Sequence, residues 1–225
     1  FKELAGVGVV FKLVSAIEIT DGEERGVDRD TAVSRVFDKY ADLVALGTVA
    51  DVMTLLDENR YIVSGGIRKM LTSPLTGLRA LIDVVSGGQD VGASAKKRRV
   101  NSSFIGFGLA PRINAAGRID HASKAVELLL TEDYGKALDI ARLLCEINIQ
   151  RQTEENRIAE QAYRQIEAME HPEEARVLVL ADDTWAQGVI GIVASRLTDR
   201  FGLPSILISF DGATRGYPAP DDVGK

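Results

Sequence analysis

Apolar residues recur at helical spacing over much of the first part of the chain. The segments with this spacing are 4–19, 31–40, 58–71 and 77–85. The polar residues between the first two segments include Asp21-Gly22, a dipeptide typical of turns. We therefore expect four helices here, with a turn at Asp21-Gly22 between the first two.

Residues 43–46 depart from that spacing. They form an unbroken apolar run closed by Gly47, a profile typical of a strand buried in a parallel sheet. Such a strand would place Asp51 just beyond its C-terminal end, the edge at which open α/β sheets bind ligands. Asp42 precedes the run and is expected to be a surface or capping carboxylate.

The longest helical pattern runs from Thr131, the expected cap, to Glu170, and His171-Pro172 is expected to end it. Its apolar residues fall in two stripes, separated by the strongly polar segment 150–157. A helix that is apolar at both ends and polar between them suits a connector that joins two domains.

Strand and helix patterns alternate after this helix. Residues 176–180 and 205–210 are apolar runs of strand length, and residues 188–200 between them have helical spacing. This order predicts a βαβ unit with two parallel strands. A parallel pair needs cover on both faces, so we expect a second α/β domain that is incomplete within this chain. The predicted fold class is therefore α/β.

Composition narrows the class of protein. The net charge of -6 and the pI near 5.1 argue against a general nucleic-acid coat protein, although an acidic chain can still carry a local basic groove. Cys145 is the single cysteine, which excludes an internal disulfide and suits a reducing cytoplasm. We find no signal-peptide pattern and no apolar run of about 18 residues, so no membrane partner is expected. A chain that opens on Phe1 is expected to be an internal piece of a longer protein.

Asp51 is the first candidate for chemistry. A carboxylate beside a turn of small residues, at the ligand-binding edge of a sheet, is well placed to hold a divalent metal. The same residue could instead cap the next helix or turn, and the pattern alone favours that second role.

A second candidate segment spans 106–118, where Arg112, Asn114 and Arg118 stand among small residues. Arginine grips phosphate oxygens in a planar fork, and small neighbours allow a backbone to approach closely. A solvated turn with two surface arginines fits the same pattern, so both interpretations stay open.

Two weaker signals concern anions. Gly188 opens a helix that follows a strand, where free N–H groups favour an anion, although most such turns bind none. The basic run 96–99 lies in a Gly- and Ser-rich stretch between Gly87 and Ser103, which is expected to be an exposed, mobile loop. Contact of that run with nucleic acid is the secondary interpretation.

Three segments resemble, in order and spacing, the RecJ exonucleases of the DHH phosphoesterase superfamily. The first, similar to the family's fourth motif, reads DLVALGTVADVMTLLDENR. The second, similar to its arginine-asparagine segment, reads GFGLAPRINAAGRIDHAS. The third, similar to the start of its DHHA1 domain, reads TWAQGVIGIVASRLTDRFGLPSILIS. With the intervening residues, the resemblance covers nearly all of 4–210.

The resemblance implies two domains with a DNA groove between them. Residues 1–130 would be the C-terminal part of the DHH domain, residues 131–172 a connector helix, and residues 173–225 the N-terminal part of the DHHA1 domain. The long helix predicted from apolar spacing agrees with that connector.

The resemblance also implies an activity. The family cleaves single-stranded DNA processively from the 5′ end, in DNA repair and recombination, with Mn²⁺ or Mg²⁺. By matching position, Asp51 would be a catalytic metal ligand, and Arg112, Asn114 and Arg118 would bind the DNA backbone or the scissile phosphate. Gly188 is expected to be a further phosphate contact. Single-strand-binding protein or a helicase are the protein partners that such a family suggests.

The chain also departs from the family pattern. The family's other aspartates and its Asp-His-His motif are expected upstream of Phe1, and the glycine-serine-arginine motif of DHHA1 is absent near Lys225. Ala186 stands where family members commonly have histidine. One aspartate cannot hold two metals, so the chain by itself is predicted to have no nuclease activity.

Other functions fit part of the pattern. One is a DHH-superfamily phosphodiesterase that acts on oligoribonucleotides or cyclic dinucleotides, against which the segment 112–118 and the long connector favour a RecJ-type enzyme. Another is a non-catalytic nucleic-acid-binding relative, against which the presence of Asp51 speaks. The remaining alternative is a generic α/β domain that binds no ligand.

Overall fold

The computed structural model describes residues 2–72, 74–87, 100–119, 121–170 and 174–210. In chain order the elements are α1 (Gly6–Glu24), α2 (Arg29–Ala50), α3 (Asp57–Thr72), α4 (Thr76–Val85), a π-helix (Phe104–Leu109), α5 (Ala110–Ile119), α6 (Ser123–Leu130), α7 (Tyr134–Glu167), β1 (Leu178–Asp182), α8 (Gln187–Phe201) and β2 (Ser205–Ser209). The strands pair in parallel, with Leu178 opposite Ser205. The α/β class and the parallel βαβ unit are confirmed.

The chain divides into two compact units. The first comprises Phe1–Asn114 and Ser123–Cys145, and the second comprises Ala115–Ala122 and Glu146–Lys225. The described residues of the first unit form helices alone, and both strands lie in the second unit. Within the described ranges, every helix is too short or too polar to cross a bilayer.

The strand predicted at residues 43–46 is wrong, because these residues lie within α2. α2 packs against both α1 and α3, and it buries Val44, Ala45 and Leu46 in succession. A helix covered on more than one side shows consecutive apolar residues, and its periodicity no longer distinguishes it from a buried strand. The contact with α3 is close, because a β carbon at Gly66 would overlap the carbonyl oxygen of Ala41.

The turn predicted at Asp21-Gly22 is also misplaced, because α1 continues through it to Glu24. Gly22 is a buried residue of α1 that lies beside Val27 and Ala32. The chain turns instead at Gly26, whose φ of 72° suits glycine.

Asp42 is not a surface carboxylate as expected. Its side chain is fully buried, and Oδ2 accepts hydrogen bonds from Nζ of Lys69, at 3.1 Å, and from the N–H of Leu75, at 3.2 Å. Because Leu75 precedes α4, this one carboxylate ties α2 to the end of α3 and the start of α4. A buried charge is tolerated only when paired and hydrogen-bonded in this way.

The second unit has its own core, formed where the second half of α7, β1 and α8 meet. Trp185 is its largest buried side chain, and Val189, Val193 and Leu197 present one buried stripe of α8. The opposite face of the strand pair is apolar but exposed. The exposed side chains of that outer sheet face are Val179, Ile206 and Ile208.

The long helix is observed as α7, so its prediction is confirmed apart from the ends. Asp133 caps it in place of Thr131, because Oδ1 of Asp133 accepts the N–H of Lys136 at 3.1 Å. The polar middle, residues 150–157, is not merely a solvated spacer. It contacts α8 and the loop that follows β1, as described below. His171-Pro172, the predicted stop, lies outside the described residues.

Candidate functional site

Asp51 lies at the C-terminal end of a helix. It is the C-cap of α2, and its N–H donates to the carbonyl of Gly47 at 3.0 Å. The carboxylate is exposed. The carbonyl end of a helix carries partial negative charge, to which the carboxylate adds. A cation would therefore be stabilised at this position.

The loop after Asp51 is held in a strained conformation. Val52 has φ of 54° and is 89% exposed, although a β-branched residue rarely adopts the left-handed region. Such a residue costs about 1–3 kcal/mol and persists only where its surroundings impose it. Here Met53 donates to the carbonyl of Thr48 at 3.2 Å, and the buried Asn59 donates to the carbonyl of Thr54 at 3.0 Å. These bonds fix the loop that carries the carboxylate.

The arginine-asparagine segment is helical and does not form a solvated turn. It begins as a π-helix, in which the N–H of Ala110 donates to the carbonyl of Ile105. An α-helix would pair the carbonyl of Phe107 with the N–H of residue 111, which Pro111 lacks. Nη1 of Arg112 supplies the donor instead, at 3.1 Å from the Phe107 oxygen and 2.7 Å from the Gly108 oxygen. Nε of Arg112 is buried without a protein partner.

The π-helix packs beside the end of α2. A β carbon at Gly106 would lie 3.6 Å from Cγ1 of Val49, two residues before Asp51. The first two sequence segments are therefore neighbours in space. Asn114 follows on α5 and is exposed.

In the second unit, Arg118 and Gly188 contact each other directly. Nη1 of Arg118 donates to the carbonyl of Gly188 at 3.2 Å. A β carbon at Gly188 would overlap the carbonyl oxygen of Arg118, so this position needs glycine for packing. Phosphate binding by Gly188 stays a prediction, and its lack of a side chain now has a separate cause.

The loop between β1 and α8 is held by side chains that the sequence did not single out. Nη2 of Arg157 donates to the Glu154 carboxylate and, at 2.8 Å, to the carbonyl of Thr184. Oε1 of Gln161 accepts from Nη1 of Arg157 at 3.0 Å and from Nε1 of Trp185 at 2.9 Å. Three residues on one stretch of α7 thus fix the loop that leads into α8.

Two carboxylates at this loop, those of Glu154 and Asp182, are stabilised in their ionised form. The Arg157 guanidinium donates to the Glu154 carboxylate and holds the pKa of Glu154 below its ordinary value of 4.5. The hydroxyl and then the N–H of Thr184 likewise lower the pKa of Asp182. Both carboxylates therefore stay charged at neutral pH.

The described residues do not by themselves fit a two-metal centre. Among them, no three side chains of histidine, cysteine, aspartate or glutamate converge on one point. Asp51 can supply one carboxylate, and two metals need several. The basic run 96–99 lies outside the described residues.

Comparison with known proteins gives one consistent result. The chain is 38% identical over 211 residues to the single-stranded-DNA-specific exonuclease RecJ of Bacillus subtilis and 34% identical over 220 residues to that of Escherichia coli. These matches take in 94% and 96% of this chain but only 24% and 37% of the relatives. The chain thus spans between about a quarter and somewhat more than a third of the curated relatives it matches. No family model matches it.

Solved structures agree with the sequence relatives. A crystal structure of exonuclease RecJ bound to manganese superposes with a TM-score of 0.73 at 35% identity, over 93% of this chain and 48% of that one. RecJ of Thermus thermophilus, solved with Mn²⁺, gives a TM-score of 0.71 at 35% identity, over 91% of this chain and 27% of that one. The likeness therefore extends to the fold of nearly the whole chain.

Proposed function

Because this chain is a RecJ-type sequence along nearly all of its length, we propose that it forms part of a metal-dependent 5′-to-3′ exonuclease specific for single-stranded DNA. The names of the relatives support the substrate, and the manganese and magnesium complexes of similar structures support the metal. Action in DNA repair and recombination, in the cytoplasm, belongs to the same proposal. So do single-strand-binding protein or a helicase as partners.

The domain assignment is part of this proposal. Residues 1–130 would complete a DHH domain, residues 131–172 would connect it, and residues 173–225 would begin a DHHA1 domain. The length of α7 and the βαβ order after it support this division.

Asp51 would contribute one ligand to a divalent metal. The observation that carries this role is its place in a strained, hydrogen-bonded loop at the negative end of α2, beside the π-helix of the second motif. A metal bound there would activate water and stabilise charge on a phosphodiester. The chain's own contribution is to hold the carboxylate still.

Arg112, Asn114 and Arg118 would bind the phosphates of the strand. Arg112 already uses Nη1 on two backbone carbonyls, which leaves Nη2 to donate to a phosphate oxygen. Asn114 and Arg118 are exposed. Arg118 uses Nη1 on the carbonyl of Gly188, which leaves Nη2 to donate to a phosphate oxygen. Gly188 would add backbone contact at the start of α8.

The 225-residue chain alone would not hydrolyse DNA, because its described residues bring together too few metal ligands. The test is manganese calorimetry on this chain, followed by digestion of 5′-labelled single-stranded DNA with manganese present. We expect no tight metal binding and no shortening of the labelled strand. Two tightly bound metals, or processive digestion, would refute the proposal that this chain holds only part of the metal site.

The complete gene product tests Asp51 itself. Asp51→Ala should weaken manganese binding and lower the rate of digestion there, because one ligand is lost. Asp38→Ala, an exposed aspartate on the same helix, is the matched control and should leave both unchanged. Equal behaviour of the two variants would remove Asp51 from the metal site.

A further inference from the structure

Phe107 is an exposed aromatic residue inside the second motif. Its side chain is 83% exposed, although burial of a phenylalanine is normally favourable by about 1.5–3 kcal/mol. It lies on the π-helix, a rare element that is frequent at functional sites. None of the roles assigned above uses this ring.

The packing of the π-helix explains why the ring points outward. Ile105 and Leu109, two residues to either side, are fully buried and face the core of the first unit. Gly106 and Gly108 flank the ring on the packed side, where β carbons would make ordinary contact with Cγ1 of Val49 at 3.6 Å and Cγ1 of Val85 at 3.5 Å. The element is therefore anchored on one side and presents Phe107 on the other.

The backbone under the ring is fixed. The carbonyl of Phe107 has lost its α-helical donor to Pro111 and is bound instead by Arg112, whose Nη1 also holds the carbonyl of Gly108. A ring on a fixed backbone loses little conformational freedom when it meets a flat ligand. The same arginine is a proposed phosphate contact, so a strand held by it would pass next to the ring.

We propose that Phe107 is a stacking platform for one base of the single-stranded DNA. This rests on the proposed function and adds a base contact to its phosphate contacts. Every base has a π-face, so stacking tolerates any sequence. A duplex keeps its bases stacked on one another, and only a single strand can offer one to Phe107. The ring would thereby contribute to the preference for single strands.

The test compares two oligonucleotides of about ten nucleotides, a length within the usual range of single-strand sites. One is oligothymidine and the other is an abasic strand with the same phosphates and no bases. Fluorescence anisotropy on this chain should give about tenfold tighter binding of oligothymidine, the loss expected when one base–aromatic stack is removed. Phe107→Ala should bind oligothymidine as weakly as the abasic strand, with abasic binding unchanged, and Phe107→Tyr should restore the difference.

Leu130→Ala is the matched control, since Leu130 is an apolar residue of the same unit that is 75% exposed. It should bind both strands as the unchanged chain does. Equal binding of the two strands by the unchanged chain, falling with salt, would overturn base stacking and leave the phosphate contacts standing. Loss of binding to both oligonucleotides in Phe107→Ala would also overturn base stacking, because it would show that Phe107 has a structural role. Binding of neither strand would overturn stacking and phosphate binding together.

Discussion

Nη1 of Arg118 donates to the carbonyl of Gly188, and the carbonyl of Arg118 lies against the Cα of that same glycine. Two backbone segments 70 residues apart therefore meet without a side chain between them. The contact fixes the end of α5 against the first turn of α8, within the second unit. Glycine is needed at position 188 because a side chain would collide with the backbone of Arg118, and this need does not depend on a ligand.

Gly188→Ala should lower the free energy of unfolding by about 1–3 kcal/mol, because the new methyl group forces the two backbones apart. Urea unfolding followed by circular dichroism measures it. Gly191→Ala is the control on the same helix, where a β carbon meets nothing within 4 Å. That change should be neutral or stabilise by up to about 1 kcal/mol. Equal effects of the two substitutions would contradict the packing role.

Lys69→Met should destabilise the first unit by roughly 3 kcal/mol, because it leaves the Asp42 carboxylate buried without its cation. Thermal and urea unfolding give the value. Lys12→Met breaks an exposed pair with Glu58 and should cost less than about 1 kcal/mol. If the two lysine substitutions cost the same, the buried pair is not the support we infer.

Pro111 and Arg112 should show coupled effects on stability. Arg112→Leu removes the donor to the Phe107 and Gly108 carbonyls and should cost about 1–3 kcal/mol. Pro111→Ala returns a backbone N–H, so in that background the same change should cost about 1 kcal/mol less. A double-mutant cycle by urea unfolding measures the difference. The control is the pair Pro111→Ala and Arg118→Leu, whose effects on the free energy of unfolding should add. If the effects of Pro111→Ala and Arg112→Leu also add, the Arg112 side chain does not replace the N–H that Pro111 lacks.

Acid should weaken the loop between β1 and α8. The pKa of Glu154 is lowered in the folded chain, chiefly by the hydrogen bond from Arg157, so this pair stabilises the fold above pH 4.5 and the stabilisation is lost as the pH falls further. Glu154→Gln should lower stability at neutral pH and flatten its decline in acid. Stability curves from pH 7 to pH 3 check this. Glu160→Gln, in an exposed pair on the same helix, should leave the curve unchanged.

Helices with a single buried face were predictable from the sequence. α8 shows why, since Val189, Val193 and Leu197 recur every four residues and are all fully buried. α2 was not predictable at 43–46, because α1 and α3 cover it from different sides and remove the period. Hydrophobic periodicity identifies a helix only where one face of that helix stays polar.

The sequence suggests candidate site residues, whose roles stay predictions, but it does not give the geometry around them. The motifs pointed to Asp51 and Arg112. Nothing in the local sequence indicates that Arg112 donates to the carbonyl of Phe107, which Pro111 leaves without a helical donor. The contact of Arg157 with Thr184 joins residues 27 positions apart, and no spacing rule links an arginine in a polar stretch to that loop. Exposure of Phe107 likewise depends on which face the π-helix presents.

The strand pair exposes an apolar face with Val179, Ile206 and Ile208, and we expect this face to promote association of the chain in concentrated solution. An apolar surface beside a strand edge that is unpaired among the described residues favours self-association, which the net charge of -6 opposes. Sulfate and phosphate salts screen that charge and strengthen apolar contact at once. The polypeptide should therefore keep its colloidal stability in dilute buffer of low ionic strength and precipitate early on salting out.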